Sequence, residues 1–160
     1  MRIVKAILLS LLCLWLGCVL VYVGRIGYEK WQVTRNATEF FSLLIGGQWE
    51  QAADLTLAGA YQGDPERQQS RRMAWIERMT ALKEQGFYPV AYRHVTADFD
   101  DGCVCTGHVD LTFQHGDRTV TYRTVFTLHK DYRVNQVCPL SPSGDAVETN
   151  GWKSMACFGG

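Results

Sequence analysis

The chain opens on 19 consecutive uncharged positions, Ala6 to Gly24, rich in Leu and Val. As a helix this run rises about 28 Å at ~1.5 Å per residue, enough to cross a bilayer core. Trp15 and Tyr22 suit the headgroup level. Beyond it the period becomes that of amphipathic helices. Phe40, Phe41, Leu44 and Ile45 recur at helical spacing before Gly46-Gly47, which predicts a helix over Ala37–Ile45. A second short helix is expected over Gln48–Leu57, then a loop over Ala58–Gly63. Asp64-Pro65 is an N-cap followed by proline at the first helical position. It opens a helix to about Gln85, which Gly86 is placed to end. Trp75, Ile76, Met79 and Leu82 form its apolar side.

The period then changes to two. Phe87 to Asp98 reads as a strand, with Pro89 favouring a sheet edge. After the turn Asp100-Asp101-Gly102, one face carries Cys105, Val109, Leu111 and Phe113. The other carries His108, Asp110, Thr112 and Gln114. Gly116-Asp117 serves as a two-residue hairpin loop. That register sets Phe113 against Val120, Leu111 against Tyr122 and Asp110 against Arg123. An opposite-charge cross-strand pair contributes about 0.2–1 kcal/mol. A further strand runs over Tyr132–Cys138, where Cys138 is expected opposite Arg123. Pro139 to Asp145 has loop composition, and the last 15 or so residues, with Trp152 and Cys157, are expected to be loosely ordered.

The expected organisation is therefore an anchor over 1–24, a juxtamembrane linker over 25–35 with continuation of the helix as the alternative, an α+β domain over 36–138 and a loop-rich tail over 139–160. The domain is expected to pack about three helices on a curved antiparallel sheet of about four strands. Asn36-Ala37-Thr38 is both a glycosylation acceptor pattern and a helix start, and the helix start is preferred.

Composition narrows the class. With 160 residues, 47% hydrophobic and 20% charged, the chain is neither disordered nor a polytopic membrane protein. Basic and acidic residues balance at 16 each, and no recognition motif is present, which argues against nucleic acid. Arg2 and Lys5 precede the apolar run; residues 25–160 carry a net charge of −2. The run is longer than the apolar region of a cleaved signal, and Val21-Tyr22-Val23 is a poor cleavage site. Gly17-Cys18 resembles a lipoprotein site, but Trp15 and Leu16 before it fit poorly. An uncleaved single anchor, in contact with the bilayer through residues 6–24, is the preferred reading. Flanking positive charge barely discriminates its orientation. An even number of cysteines in a small domain behind such a segment suits an oxidising compartment, so the domain is placed outside the cytoplasm.

Two constellations carry candidate chemistry. His108 and Asp110 sit two apart in one strand and point the same way, a carboxylate beside an imidazole suited to proton transfer. The competing and favoured reading is a half-exposed polar sheet face with an Asp110–Arg123 ion pair. Cys103, Cys105, Cys138 and Cys157 are disulfide or redox candidates. Closure of so small a ring as Cys103-Val104-Cys105 is strained, which favours partners elsewhere. Cys138 reaches Cys157 through the tail, which leaves Cys103 and Cys105 to each other or unpaired. A reducible bond, or a metal set with His94 and His108, are the alternatives to structural staples, and the spacing matches no common zinc motif. No metal and no cofactor is expected. Arg67, Arg71 and Arg78 share one face of the third helix, a stripe for an anionic partner or a solvated surface.

The segments Ala37-Thr38-Glu39-Phe40-Phe41 through Gly47-Gln48-Trp49-Glu50-Gln51-Ala52-Ala53, and Val125 to Val134, resemble the opening helices and closing strands of the nuclear-transport-factor-two-like fold, also called SnoaL-like or cystatin-like. The resemblance spans roughly residues 36–138. It implies a cone-shaped α+β domain. Small anchored members outside the cytoplasm are common in bacteria, others are scaffolds of secretion machines, and others are isomerases or cyclases. Fold alone does not choose among these. The first expectation is a noncatalytic, membrane-anchored module that binds an envelope protein or a small apolar ligand. A secretion or envelope scaffold, and a small-molecule enzyme using His108 or Asp110, are the alternatives.

Overall fold

The computed structural model describes residues 2–56, 64–100, 102–129, 131–141 and 146–155. It is α+β. Helix α1 spans Arg2–Ile45, α2 Trp49–Asp54 and α3 Pro65–Glu84. Strands β1 Phe87–Asp100, β2 Cys103–His115, β3 Arg118–Leu128 and β4 Val134–Pro139 follow, then α4 Ala146–Ser154. The expected loop Ala58–Gly63 lies outside the described residues, as do Asp101 and Cys157.

Helix α1 runs unbroken through the expected linker and through Asn36, so the helix start predicted there does not exist. Nothing between Gly24 and Asn36 breaks the helix: no proline occurs in that stretch. At ~1.5 Å per residue its 44 residues extend about 66 Å. Its two halves live in different surroundings. Leu14, Leu20 and Val21 are exposed apolar side chains; Val33, Ala37, Phe40, Phe41 and Leu44 are buried. The helix ends because Gly47 adopts a left-handed φ of 67°, which lets the Gln48 N–H return to the Leu43 carbonyl at 3.0 Å.

The third helix begins as its sequence dictates, with Asp64 accepting from the Glu66 N–H at 3.1 Å and Pro65 in the first turn. Arg72 ties it to α2: its Nε donates to Asp54 Oδ1 at 2.7 Å and its Nη2 to the Glu50 carbonyl at 2.9 Å. The hydrogen bond to Asp54 raises the Arg72 pKa further, so the clamp stays charged.

The sheet is an antiparallel meander in the order β1-β2-β3-β4. The β2–β3 register is the expected one, with Phe113 opposite Val120, Leu111 opposite Tyr122 and Asp110 opposite Arg123. Cys138, expected opposite Arg123, lies opposite Val125 instead. Strand β1 is an edge strand, as Pro89 requires, and its register with β2 shifts at Pro89/Ala91, Arg93/Thr96 and Asp98/Asp100. Extra residues on one strand make it bend. At the third shift the extra residue is on β2, and Val104 rather than Cys105 enters the core there.

Helices cover one face of the sheet. Phe41 packs edge-on against Phe126 at 5.6 Å and lies 6.1 Å from Tyr92. Helix α4 corrects the expectation of a loose tail. Its Trp152 is 1% exposed and packs at 5.0 Å from Phe113 and 5.4 Å from Tyr122. Gly151 is required beside it, because a Cβ there would collide with the Phe87 ring. The interior expected to form a ligand-binding cone is thus occupied, in this region, by aromatic side chains.

Candidate functional site

From Thr106 on, the even-numbered positions of β2 point away from the helices, and most candidate side chains gather on that open face. The second shift in β1 places His94 at a left-handed φ of 55°. From there its Nδ1 donates to Asp110 Oδ2 at 2.8 Å. Asp110 also faces Arg123, with Nη1 to Oδ1 at 3.8 Å, the cross-strand ion pair expected from the hairpin register. His108 turns to a different acid, its Nδ1 2.6 Å from Asp98 Oδ2. Beyond them Thr112 and Thr121 share a hydroxyl hydrogen bond of 2.8 Å.

His108 and Asp110 therefore share a face and not a hydrogen bond. Each is engaged by a residue of β1, so the arrangement is two side-by-side imidazole–carboxylate pairs. The His94 side chain is 73% exposed and Arg123 59%, which leaves the first pair open to water, whereas His108 and Asp98 are half-buried. An exposed ion pair contributes about 0–1 kcal/mol. Proton-transfer catalysis draws on a desolvated, pre-oriented acid or base. This face offers orientation with only partial desolvation. His94 and Asp98 escaped sequence reading as partners because the β1 register depends on its bulges. The pairing of His94 with Asp110 follows only once an extra residue is placed between Arg93 and Thr96.

The cysteines separate into two groups. Cys103 and Cys105 are bonded to each other, with Cα atoms 5.4 Å apart. Of the two outcomes left open by sequence, bonded to each other or unpaired, this is the first, against the expected preference for partners elsewhere, and it takes both thiols from the metal set considered with His94 and His108. Among the described residues no group of three or more His, Cys, Asp or Glu side chains is arranged to hold a metal ion. Cys138 is also disulfide-bonded, and its expected partner Cys157 lies outside the described residues. Cys13 and Cys18, in the apolar half of α1, are free thiols.

Arg67, Arg71 and Arg78 are exposed on α3, and Arg67 lies 3.9 Å from Asp64. Their neighbour Arg72 has a defined structural task, the clamp on α2. Its partners lie 18 and 22 residues earlier, a separation that no helical period reveals.

Among the described residues one helix, α1, is long and apolar enough to cross a membrane by length and composition, and its most apolar window is 0% buried. Comparison with known proteins adds no relative: no family model, curated protein or solved structure matches the chain.

Proposed function

We propose that this chain is a membrane-anchored interaction module without catalysis, its α+β domain held outside the cytoplasm against a protein of the envelope. The observation that carries the reading is the division of α1. One continuous helix exposes Ile7, Leu8, Leu14, Leu20 and Val21, then buries Phe40, Phe41 and Leu44. Exposed contiguous apolar surface of this extent is not sustained in water, whereas hydrocarbon accepts it. The same helix then supplies core to the domain, so the anchor and the domain share one rigid element. The nuclear-transport-factor-two-like assignment belongs to this proposal, supported by the order of helices and antiparallel strands.

Two disulfides support a non-cytoplasmic domain, since such bonds persist where thiols are not kept reduced. The filled helix–sheet interface favours a protein partner over an enclosed small molecule. The test is alkaline carbonate extraction of native membranes, followed by chemical cross-linking and co-purification. The chain should stay with the membrane pellet and cross-link to one defined envelope protein in stable ratio. Release into the carbonate supernatant would overturn the anchor. Exclusively self-cross-linked or uncross-linked chain would overturn the interaction role.

A further inference from the structure

The end of the sheet that holds the β1–β2 and β3–β4 turns lies on the same side as the apolar half of α1. Three observations establish this. Phe41 of α1 lies beside Tyr92 and Phe126 in mid-sheet. Toward the N-terminus of α1, Ile26 packs on the core that Tyr132 also joins, while at its C-terminal end Gly47 lies beside Lys83, three residues before the Gly86 whose carbonyl accepts from Gly116 of the β2–β3 turn at 3.0 Å. Tyr132 belongs to the β3–β4 turn, and β1 runs parallel to β3 through their common neighbour β2. So β1 advances from Tyr92 to Asp100 in the direction that α1 takes from Phe41 back to Gly24.

The distances match. Seven residues from Tyr92 to Phe99 span about 23 Å at ~3.3 Å each, somewhat less across the bulge. From Phe41 back to Gly24, 17 residues at ~1.5 Å span about 26 Å. Phe99 thus reaches the level at which the uncharged run of α1 begins. It also continues a face. Val95 and Ala97 pack on the core, α1 is the helix that packs most extensively on β1, and Phe99 is the next position of the same parity. Unlike them it is exposed, at 39%. A large apolar ring at a hairpin tip, next to a membrane helix at its exit level, has one apolar surface in reach.

We infer that the β1–β2 hairpin tip rests on the bilayer, with the Phe99 ring inserted at the headgroup–acyl boundary beside α1. The membrane is then a second point of attachment, which fixes the tilt and rotation of the domain. Its open face, with His94, Asp110 and Arg123, stands away from α1 and free for a partner. This inference rests on the anchor reading proposed above, and its test separates the two.

The full chain is placed in phosphatidylcholine nanodiscs with the photo-crosslinker p-benzoyl-phenylalanine substituted singly at Leu14, Phe99 or Asp117. Circular dichroism of each labelled chain checks that it is folded. Asp117 is exposed in the β2–β3 turn, at the opposite end of the sheet. After irradiation, chains one lipid mass heavier are counted. Position 99 should yield at least tenfold more lipid adduct than position 117, approaching position 14. Adduct at 14 with position 99 no better than 117 overturns the inference and leaves the anchor intact. No adduct at position 14 overturns the anchor, and the inference with it.

Discussion

At residue scale, two glycines and one aspartate separate packing from chemistry. A Cβ at Gly107 would run into the Thr96 carbonyl and the Phe126 ring. Backbone and a fully buried ring both resist displacement, so Gly107→Ala should destabilise the domain by about 1–3 kcal/mol, read as a lowered denaturation midpoint. Gly151→Ala presses on Phe87 and should act in the same direction. Asp110→Asn removes the charge that His94 and Arg123 share on an exposed face. Its effect on stability should be within about 1 kcal/mol. A larger loss would show that the paired histidines carry structural weight that their exposure does not suggest. Of this site, the sequence disclosed Asp110–Arg123, because hairpin register follows from a two-residue turn and a strict period of two. His94–Asp110 and His108–Asp98 were hidden because their register runs through bulges.

At element scale the same contrast recurs. Strands β2 and β3 alternate cleanly and could be paired from the chain alone. In β1 the core side chains are Phe87, Pro89, Tyr92, Val95 and Ala97, a spacing interrupted wherever the register shifts. A strand of that kind shows no single period. Helix α4 was illegible for another reason. It has nine residues, with Asn150 and Gly151 in its middle, both weak helix formers. Tertiary packing of Trp152 supplies what propensity lacks. Trp152→Ala should therefore cost about 3–5 kcal/mol in thermal or chemical unfolding, the range for a buried aromatic. A loss below about 1 kcal/mol would restore the reading of residues 139–160 as a loose tail. The stretch 25–35 is helical, the continuation that the sequence left open, since a helix without a breaker simply continues into the core.

At the scale of the whole molecule, continuity of α1 is what turns a tether into a strut. Lys30 is exposed, between the apolar run and the first fully buried side chain, Val33. Lys30→Pro removes a helical hydrogen bond at a cost of about 3 kcal/mol and kinks the rod. The chain should remain in the carbonate pellet while the lipid adduct at position 99 falls several-fold. An unchanged adduct would mean that the domain settles on the membrane without help from a rigid helix.

The most direct measurement of the central claim is thiol mass-tagging in intact native membranes. A membrane-permeant maleimide is applied before and after reduction, and labelled cysteines are located by mass. An anchored chain with its domain in an oxidising compartment should show Cys103, Cys105, Cys138 and Cys157 tagged only after reduction. Free labelling of Cys103 and Cys105 without reductant would contradict it, placing the domain where thiols are kept reduced.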